Sequence, residues 1–431
     1  MKRFRNRMRR CCVTLARAFN ERDDHCIYLR PIVHLVCLSI LMSAAIPAVG
    51  VSNVRAESLN LETLQQRAVA NRELIQKFQA NLKQGELDTR IQQGNFLPFL
   101  DAAYIANQLN EDSSFENEQN SRFSAVASYN LFAGFQDKYN LKSAEHLEKA
   151  KAYELDVVID DLKLAVALRY LDVYRRLENR KVAHEQLKLL QKRYQDAQKR
   201  HSVGLIRKND LLRLKVEMDD TRQRLAETEA EYVKSINQLE FATRSSVAAD
   251  ALAFKEFDSI PDVYDFDYYY PIMLDKRSEI KTLEMVARAQ ENRAQALNSA
   301  YWPSVDVAAG YTRYGDDFVL GDRVRDQDEV RVTLEARINL FDGLKKGNRV
   351  ARARLETRKA QYDLAELKQA LETALKNILV DYEVGRKNLK VAESEIVQAE
   401  ENLRVTDIAY KEGLETSTEL LDSIFFYSRA Q

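Results

Sequence analysis

The chain is poor in the residues that interrupt regular structure, with only 12 Gly and 6 Pro in 431 residues. That supplies too few turns for the two or three ordinary domains such a length could hold, so long uninterrupted elements are expected. Cysteine is scarcer still. All four, Cys11, Cys12, Cys26 and Cys37, lie near the N-terminus, which excludes disulfides and thiolate metal sites from everything that follows. Histidine is almost missing beyond residue 56: His146, His184 and His201 stand alone, none at metal-ligand spacing from another. No glycine loop that could cradle a phosphate accompanies them. An enzyme, a metal site and a cofactor are therefore not expected.

Residues 1–30 carry nine Lys or Arg against three acids, and an apolar run from Ile32 to Val51 leads to the small-residue end Val54-Arg55-Ala56. This order reads as a secretory signal over 1–56, with a start at Met8 bringing its basic region closer to the usual length. The alternative is a membrane anchor, since about 20 residues span a bilayer; Ser39, Ser43 and Pro47 favour cleavage. Removing 1–56 takes away ten bases and three acids, so net charge moves from −1 to −8 (−1 − 10 + 3). Nucleic acid is not a partner for such a chain.

What the chain does have is a repeat. Asn130-Leu131-Phe132-Ala133-Gly134 returns as Asn339-Leu340-Phe341-Asp342-Gly343, a shift of 209 (339 − 130). The same shift carries Tyr153 to Tyr362, Asp172 to Asp381, and Gly204-Leu205 to Gly413-Leu414 without a gap. Two equivalent halves are the consequence. Between Gly134 and Gly204 there is neither Gly nor Pro, and at 1.5 Å per residue that stretch makes a helix of roughly 100 Å. Leu141, Ala144, Leu147, Leu155, Val158 and Leu162 keep three- and four-residue spacings, the seam of a helix packed lengthwise on neighbours.

The segments before each long helix follow a period of two. From Val330 to Leu340 every even position is apolar and every odd one polar, the pattern of a strand with one oily and one wet face. Strand pairs are expected over 97–132 and 302–341, with acidic, polar hairpin loops between partners. The first half then runs over 57–265: helix, strand pair, long helix 135–202, returning helix 208–243 and linker 244–265. The second runs over 266–431, with a long helix at 344–412 and a returning helix at 415–431. Internal symmetry calls for about another 20 residues beyond Gln431, as in a chain that continues, or else for a gap in the wall it builds.

Four strands with an apolar face form an open sheet with two raw edges. Helices could cover that face, but these are long and amphipathic along their own seams. Lipid is the other solution, provided the sheet closes, because hydrocarbon cannot satisfy edge N–H and C=O groups. Four strands are too few for a barrel, so several copies must pool theirs. Arg331, Glu335 and Arg337 would then line water. Tyr301, Trp302, Phe96, Phe99, Phe132 and Phe341 lie near strand ends, where either an aromatic belt or a core would hold them.

The duplicated strand pair and long helix, the strand starts at Pro98 and Pro303, the twofold Asn-Leu-Phe-x-Gly and the tip Val203-Gly204-Leu205 resemble the TolC-like outer-membrane efflux protein family. The resemblance covers nearly all of the chain past the leader. It implies an α+β membrane protein with an internal duplication. Three copies would each give four strands to a twelve-stranded outer-membrane β-barrel, continued by an α-helical periplasmic barrel. It also implies export of small molecules or proteins, with a periplasmic adaptor and an inner-membrane pump of RND or ABC type as partners, and outer-membrane lipid around the barrel. By resemblance Val203, Gly204, Leu205, Gly413 and Leu414 contact the adaptor, although both glycines equally serve as helix caps. Tyr410 matches an aperture tyrosine. Glu419 and Asp422, three apart on one helical face, match acidic pore positions and would form carboxylate rings in a trimer; a solvated face is the alternative. Glu415 stands where relatives can carry a basic latch residue, which leaves a charge-reversed latch with Arg207 or Lys208. The competing reading is a periplasmic coiled-coil scaffold or adaptor without a barrel, and the duplicated strand pairs speak against it.

Overall fold

The computed structural model describes residues 59–111, 118–254, 263–318, 320 and 327–431. The leader expected over 1–56 lies outside them, as do parts of both hairpin loops and residues 255–262 of the linker. The first half contains α1 (Leu61–Asn71), α2 (Glu73–Gly94), β1 (Phe99–Gln108), β2 (Gln119–Ala133), α3 (Gln136–Ser202) and α4 (Lys208–Thr243). In the second half lie α5 (Phe266–Lys276), α6 (Ser278–Asn298), β3 (Ser304–Gly315), β4 (Gln327–Arg337), α7 (Lys345–Lys411) and α8 (Ser417–Ala430).

Two offsets relate the halves. A shift of 205 (266 − 61) carries the starts of α1, α2 and β1 onto those of α5, α6 and β3, and 209 (345 − 136) carries α3 and α4 onto α7 and α8. The change of offset falls in the hairpin loops, where exposed backbone tolerates insertion. Local devices repeat with the elements. The Asn60 side chain accepts a bond from Thr63 N at 2.9 Å and caps α1; Asp265 accepts from Tyr268 N at 3.2 Å and caps α5,. Extended residues, Arg72 and Arg277, break the helix pairs α1–α2 and α5–α6.

The long helices α3 and α7 each run for 67 residues, or about 100 Å. A pair of left-handed residues launches each one, Gly134-Phe135 (φ 61° and 68°) and Gly343-Leu344 (φ 70° and 66°). Gly134 is also needed for space, because a Cβ there would lie 2.7 Å from Ser299 O. Helix α3 packs against α2, α4 and α6, whereas α7 packs against α6 and α8. Around the middle of α3, Leu64, Val166, Tyr170, Val173 and Leu239 are fully buried. The linker joins this core: Leu59 N donates to Ala251 O at 2.8 Å, and the Tyr170 hydroxyl donates to Ala253 O. A second cluster, Leu187, Leu190, Met218, Leu420 and Ile424, lies towards the tips.

The four strands form one antiparallel sheet in the order β1-β2-β3-β4. Phe99 opposes Ser128 in the first hairpin and Ser304 opposes Arg337 in the second, the same register once each strand is moved by its own offset. Between hairpins Asn130 opposes Asp306, Leu131 is passed over, and Phe132 opposes Val305, a β-bulge. The strand expected over 330–340 is shorter than its alternation suggests. It ends at Arg337 because β3 begins opposite that residue, so Ile338, Asn339 and Leu340 have no neighbour to pair with.

Candidate functional site

The pairing registers bring the period-two pattern of four separate segments onto common faces. One face carries Leu100 and Ala102 of β1, Ala125 and Ala127 of β2, Val307 and Ala309 of β3, and Val332 and Leu334 of β4. Leu334 is 68% exposed, so this apolar face is uncovered within the chain. The opposite face carries Asp101, Asn130, Asp306, Arg331, Glu335 and Arg337. There Arg337 Nη2 lies 2.5 Å from Glu335 Oε1, and Arg331 Nε donates to Glu329 at 2.6 Å. Among the described helices none is long and apolar enough to cross a membrane. The apolar face of the sheet is itself suited to hydrocarbon,.

At the far end of the long helices the two tips share one geometry. Leu205 N donates to Arg200 O at 2.9 Å and Gly204 N to His201 O at 3.0 Å; Leu414 N donates to Ala409 O at 2.9 Å and Gly413 N to Tyr410 O at 3.2 Å. These 6→1 and 5→2 bonds are a Schellman motif, and each needs a left-handed residue. Gly204 and Gly413 supply it, both at φ 77°. The turn projects Val203, Leu205 and Leu414 outward, all of them well exposed. Val203 and Leu205 stand at the first turn and Leu414 at the second.

The structure separates the remaining predicted residues. Tyr410 is half-buried against the tip cluster, with the Arg200 guanidinium 5.3 Å from its ring centroid. Burial pushes its phenol up, and its hydroxyl has no hydrogen-bond partner among the described residues. Glu419 sits at the third position of α8, where its N–H is accepted by the Thr416 side chain at 3.2 Å. Thr416-x-x-Glu419 is thus a capping-box sequence, a local reason for an acid here. Asp422 faces an open cleft of about 480 Å³ between α4 and α8, lined also by Glu217, Asp220 and Glu227. Both Glu419 and Asp422 are exposed. Glu415, Arg207 and Lys208 are exposed as well, and no ion pair joins Glu415 to either base among the described residues.

Other residues tie the tips together. Arg193 Nη2 lies 2.7 Å from Asp407 Oδ1, with the two side chains only 12% and 14% exposed, and Lys411 Nζ lies 2.7 Å from Asp407 Oδ2. Arg200 donates to Tyr410 O at 3.2 Å and Lys411 O at 2.9 Å. Ser417 Oγ donates to Asp210 Oδ1 at 2.9 Å, and Arg213 donates to Thr418. Sequence reasoning missed all of these; apart from Lys411–Asp407, which are four apart, each joins residues more than 200 positions apart. The one available signal was the offset: Asp210 and Arg213 are the counterparts of Glu419 and Asp422 (419 − 209, 422 − 209).

A family model described as "Outer membrane efflux protein" matches residues 64–243 and 270–423. Among solved structures, a CusC structure superposes with a TM-score of 0.73 at 17% identity, covering 86% of this chain and 87% of that one. The outer membrane protein VceC of Vibrio cholerae gives 0.71 at 16%, covering 86% and 90%. The MtrE outer membrane channel of Neisseria gonorrhoeae gives 0.71 at 17%, covering 88% of each. No curated protein sequence matches the chain.

Proposed function

The chain belongs to the outer membrane efflux protein family, and from that premise we propose that three copies close one barrel and dock through their helical tips on a periplasmic adaptor. The protein is an outer-membrane efflux channel, its strands belonging to the membrane barrel and its helices to the periplasmic tunnel. Lipid meets the face holding Val332 and Leu334, and water the face holding Arg331, Glu335 and Arg337. The first hairpin and the second each contribute half of the subunit's wall, so residues 57–265 and 266–431 act as two repeats of one design.

The observation that carries the docking assignment is the pair of Schellman turns, which aim Val203, Leu205 and Leu414 away from the fold. An adaptor offering a complementary apolar helical hairpin fits that surface. The adaptor in turn couples the channel to an inner-membrane pump of RND or ABC type, which selects the small molecules or proteins exported. Tyr410, Glu419 and Asp422 form the constriction on this reading, and Arg207, Lys208 and Glu415 lie where a latch between copies would act.

Gly204→Glu tests the docking surface. It puts a bulky charge at the turn, so export and adaptor crosslinking should both fall by tenfold or more while the trimer level in outer-membrane fractions stays normal. Unchanged crosslinking at a normal trimer level would remove the tip from the adaptor contact.

A further inference from the structure

Strand β4 stops five residues before its counterpart. The end of β2, Ala133, corresponds to Asp342 (133 + 209), yet β4 ends at Arg337. The last five residues of β2, 129–133, lie beyond the final β1–β2 pair, Phe99↔Ser128, and are held by β3 alone. Residues 338–342 have no such strand within the chain. Among the described residues the outer edges of β1 and β4 are both unpaired, and they lie at opposite ends of the sheet.

The offsets supply the missing partner. They already turn the first hairpin's register into the second's, Phe99↔Ser128 into Ser304↔Arg337. Applied to the junction between hairpins, they turn the β2–β3 register into one between β4 and the β1 of another copy. We propose that this is the subunit junction of the barrel: Leu334 opposes the partner subunit's Ala106, Ile338 opposes the partner subunit's Ala102, and Asn339 donates a side-chain hydrogen bond to the partner subunit's Asp101. Leu340 is the bulge residue. The proposal rests on the multi-copy barrel proposed above and adds its register and its polar bridge.

Several observations converge on it. Asn130 Nδ2 donates to Asp306 Oδ1 at 2.6 Å, and the offsets convert that pair into Asn339 and Asp101 (130 + 209, 306 − 205). Leu340, the counterpart of the bulge residue Leu131, is 88% exposed and waits without a partner. The contacts flanking the inner junction are open at the outer one. Phe135 meets Trp302 edge-on at 6.2 Å and the two are 47% and 57% exposed, against 72% and 62% for their counterparts Leu344 and Leu97. Gly134 is hemmed in by Ser299 O, whereas a Cβ on Gly343 would meet nothing within 4 Å. The helices agree: Lys281 lies over the Tyr153 ring at 5.9 Å, while the counterpart Tyr362 is 66% exposed on a face of α7 that a partner's α2 would cover. The three named pairs keep apolar with apolar and polar with polar, whereas a slip of one residue would set Asn339 against Leu100 or Ala102,.

The chain has no cysteine after Cys37, so engineered thiols report cleanly. Directly opposed residues bring Cβ atoms to about 4.5–5.5 Å, against about 7–8 Å on the diagonal, beyond disulfide reach. In outer-membrane fractions under mild oxidation, Ile338→Cys with Ala102→Cys should link subunits at least about fivefold more than Ile338→Cys with Leu100→Cys or with Tyr104→Cys. Asn339→Asp should lower the heat-resistant trimer severalfold, and adding Asp101→Asn should restore it. Strongest linkage at Leu100 or Tyr104, or no restoration by the exchanged pair, would overturn the register. Failure of all three cysteine pairs, with trimers still captured by amine crosslinking of the unsubstituted chain, would overturn the β4–β1 junction and leave the barrel standing. An unsubstituted chain that is monomeric in the outer membrane would overturn the barrel itself, and the register with it.

Discussion

At the residue scale the decisive property is which way a strand side chain points. Successive residues of β4 alternate between the face shared with Val307 and Ala309 and the face shared with Asp306. On the proposed facing, Leu334→Arg puts a charge into hydrocarbon, at a cost of about 2–4 kcal/mol near the bilayer midplane. Thr333→Arg puts the same charge into water. The heat-stable trimer recovered from outer-membrane fractions should be lost for the first and retained for the second, and equal loss would refute the facing. The alternation at 330–336 was fully legible in the sequence. The buried Arg193–Asp407 pair was not, because neither residue breaks a local pattern and only the gathering of helix ends around the tip cluster gives each its partner.

At the element scale, the helix breaks at Arg72 and Arg277 carry no Pro or Gly to announce them. What holds the first break is an ion pair: Arg244 Nη2 lies 2.7 Å from Glu73 Oε1 and Arg244 Nε donates to Glu73 Oε2 at 3.1 Å. The Arg244 hydrogen bonds, joined by a bond from its own backbone, hold the Glu73 carboxyl down to about 2. A carboxyl depressed on folding contributes stability that is present above its unfolded value of about 4.3 and is lost as pH falls towards 2. Amides at the start of α2 should therefore exchange faster in Glu73→Gln than in the unsubstituted chain at neutral pH. That difference should shrink as pH falls from about 4 and be gone only once it has passed below about 2,. The pair is fully solvated, so the effect stays local, and a difference independent of pH would assign it to packing instead. The long helices, by contrast, were legible in the sequence, because α3 has no Gly or Pro in 67 positions and α7 only Gly347 and Gly385, each alone among strong helix formers,.

At the scale of the whole molecule, a feature that is modest in one copy is multiplied by symmetry. Glu419 and Asp422 are exposed acids on a short helix, and Glu419 has a capping role of its own. In a closed trimer they become six carboxylates around one axis, which should concentrate cations by their summed field. Glu419→Gln with Asp422→Asn should lower cation selectivity and relieve block by multivalent cations in planar bilayers, with insertion unchanged. Unchanged selectivity would leave them as a solvated helix face. The same multiplication applies to the tips, where one copy exposes two Schellman turns and a trimer would present six.

The sequence by itself determined the repeat, the period of each element and the residues of the tips, since all three are properties of order along the chain. Composition determined that the helices would be long, and alternation determined that the sheet would have one apolar face. Only the tertiary structure decided where the strands end, because pairing depends on a neighbour: β4 stops at Arg337 where β3 runs out, although its alternation continues to Leu340. Only it revealed that Asn130 and Asp306 meet. Contacts between residues some two hundred positions apart are chosen by packing and register. No local pattern encodes them until the chain has folded.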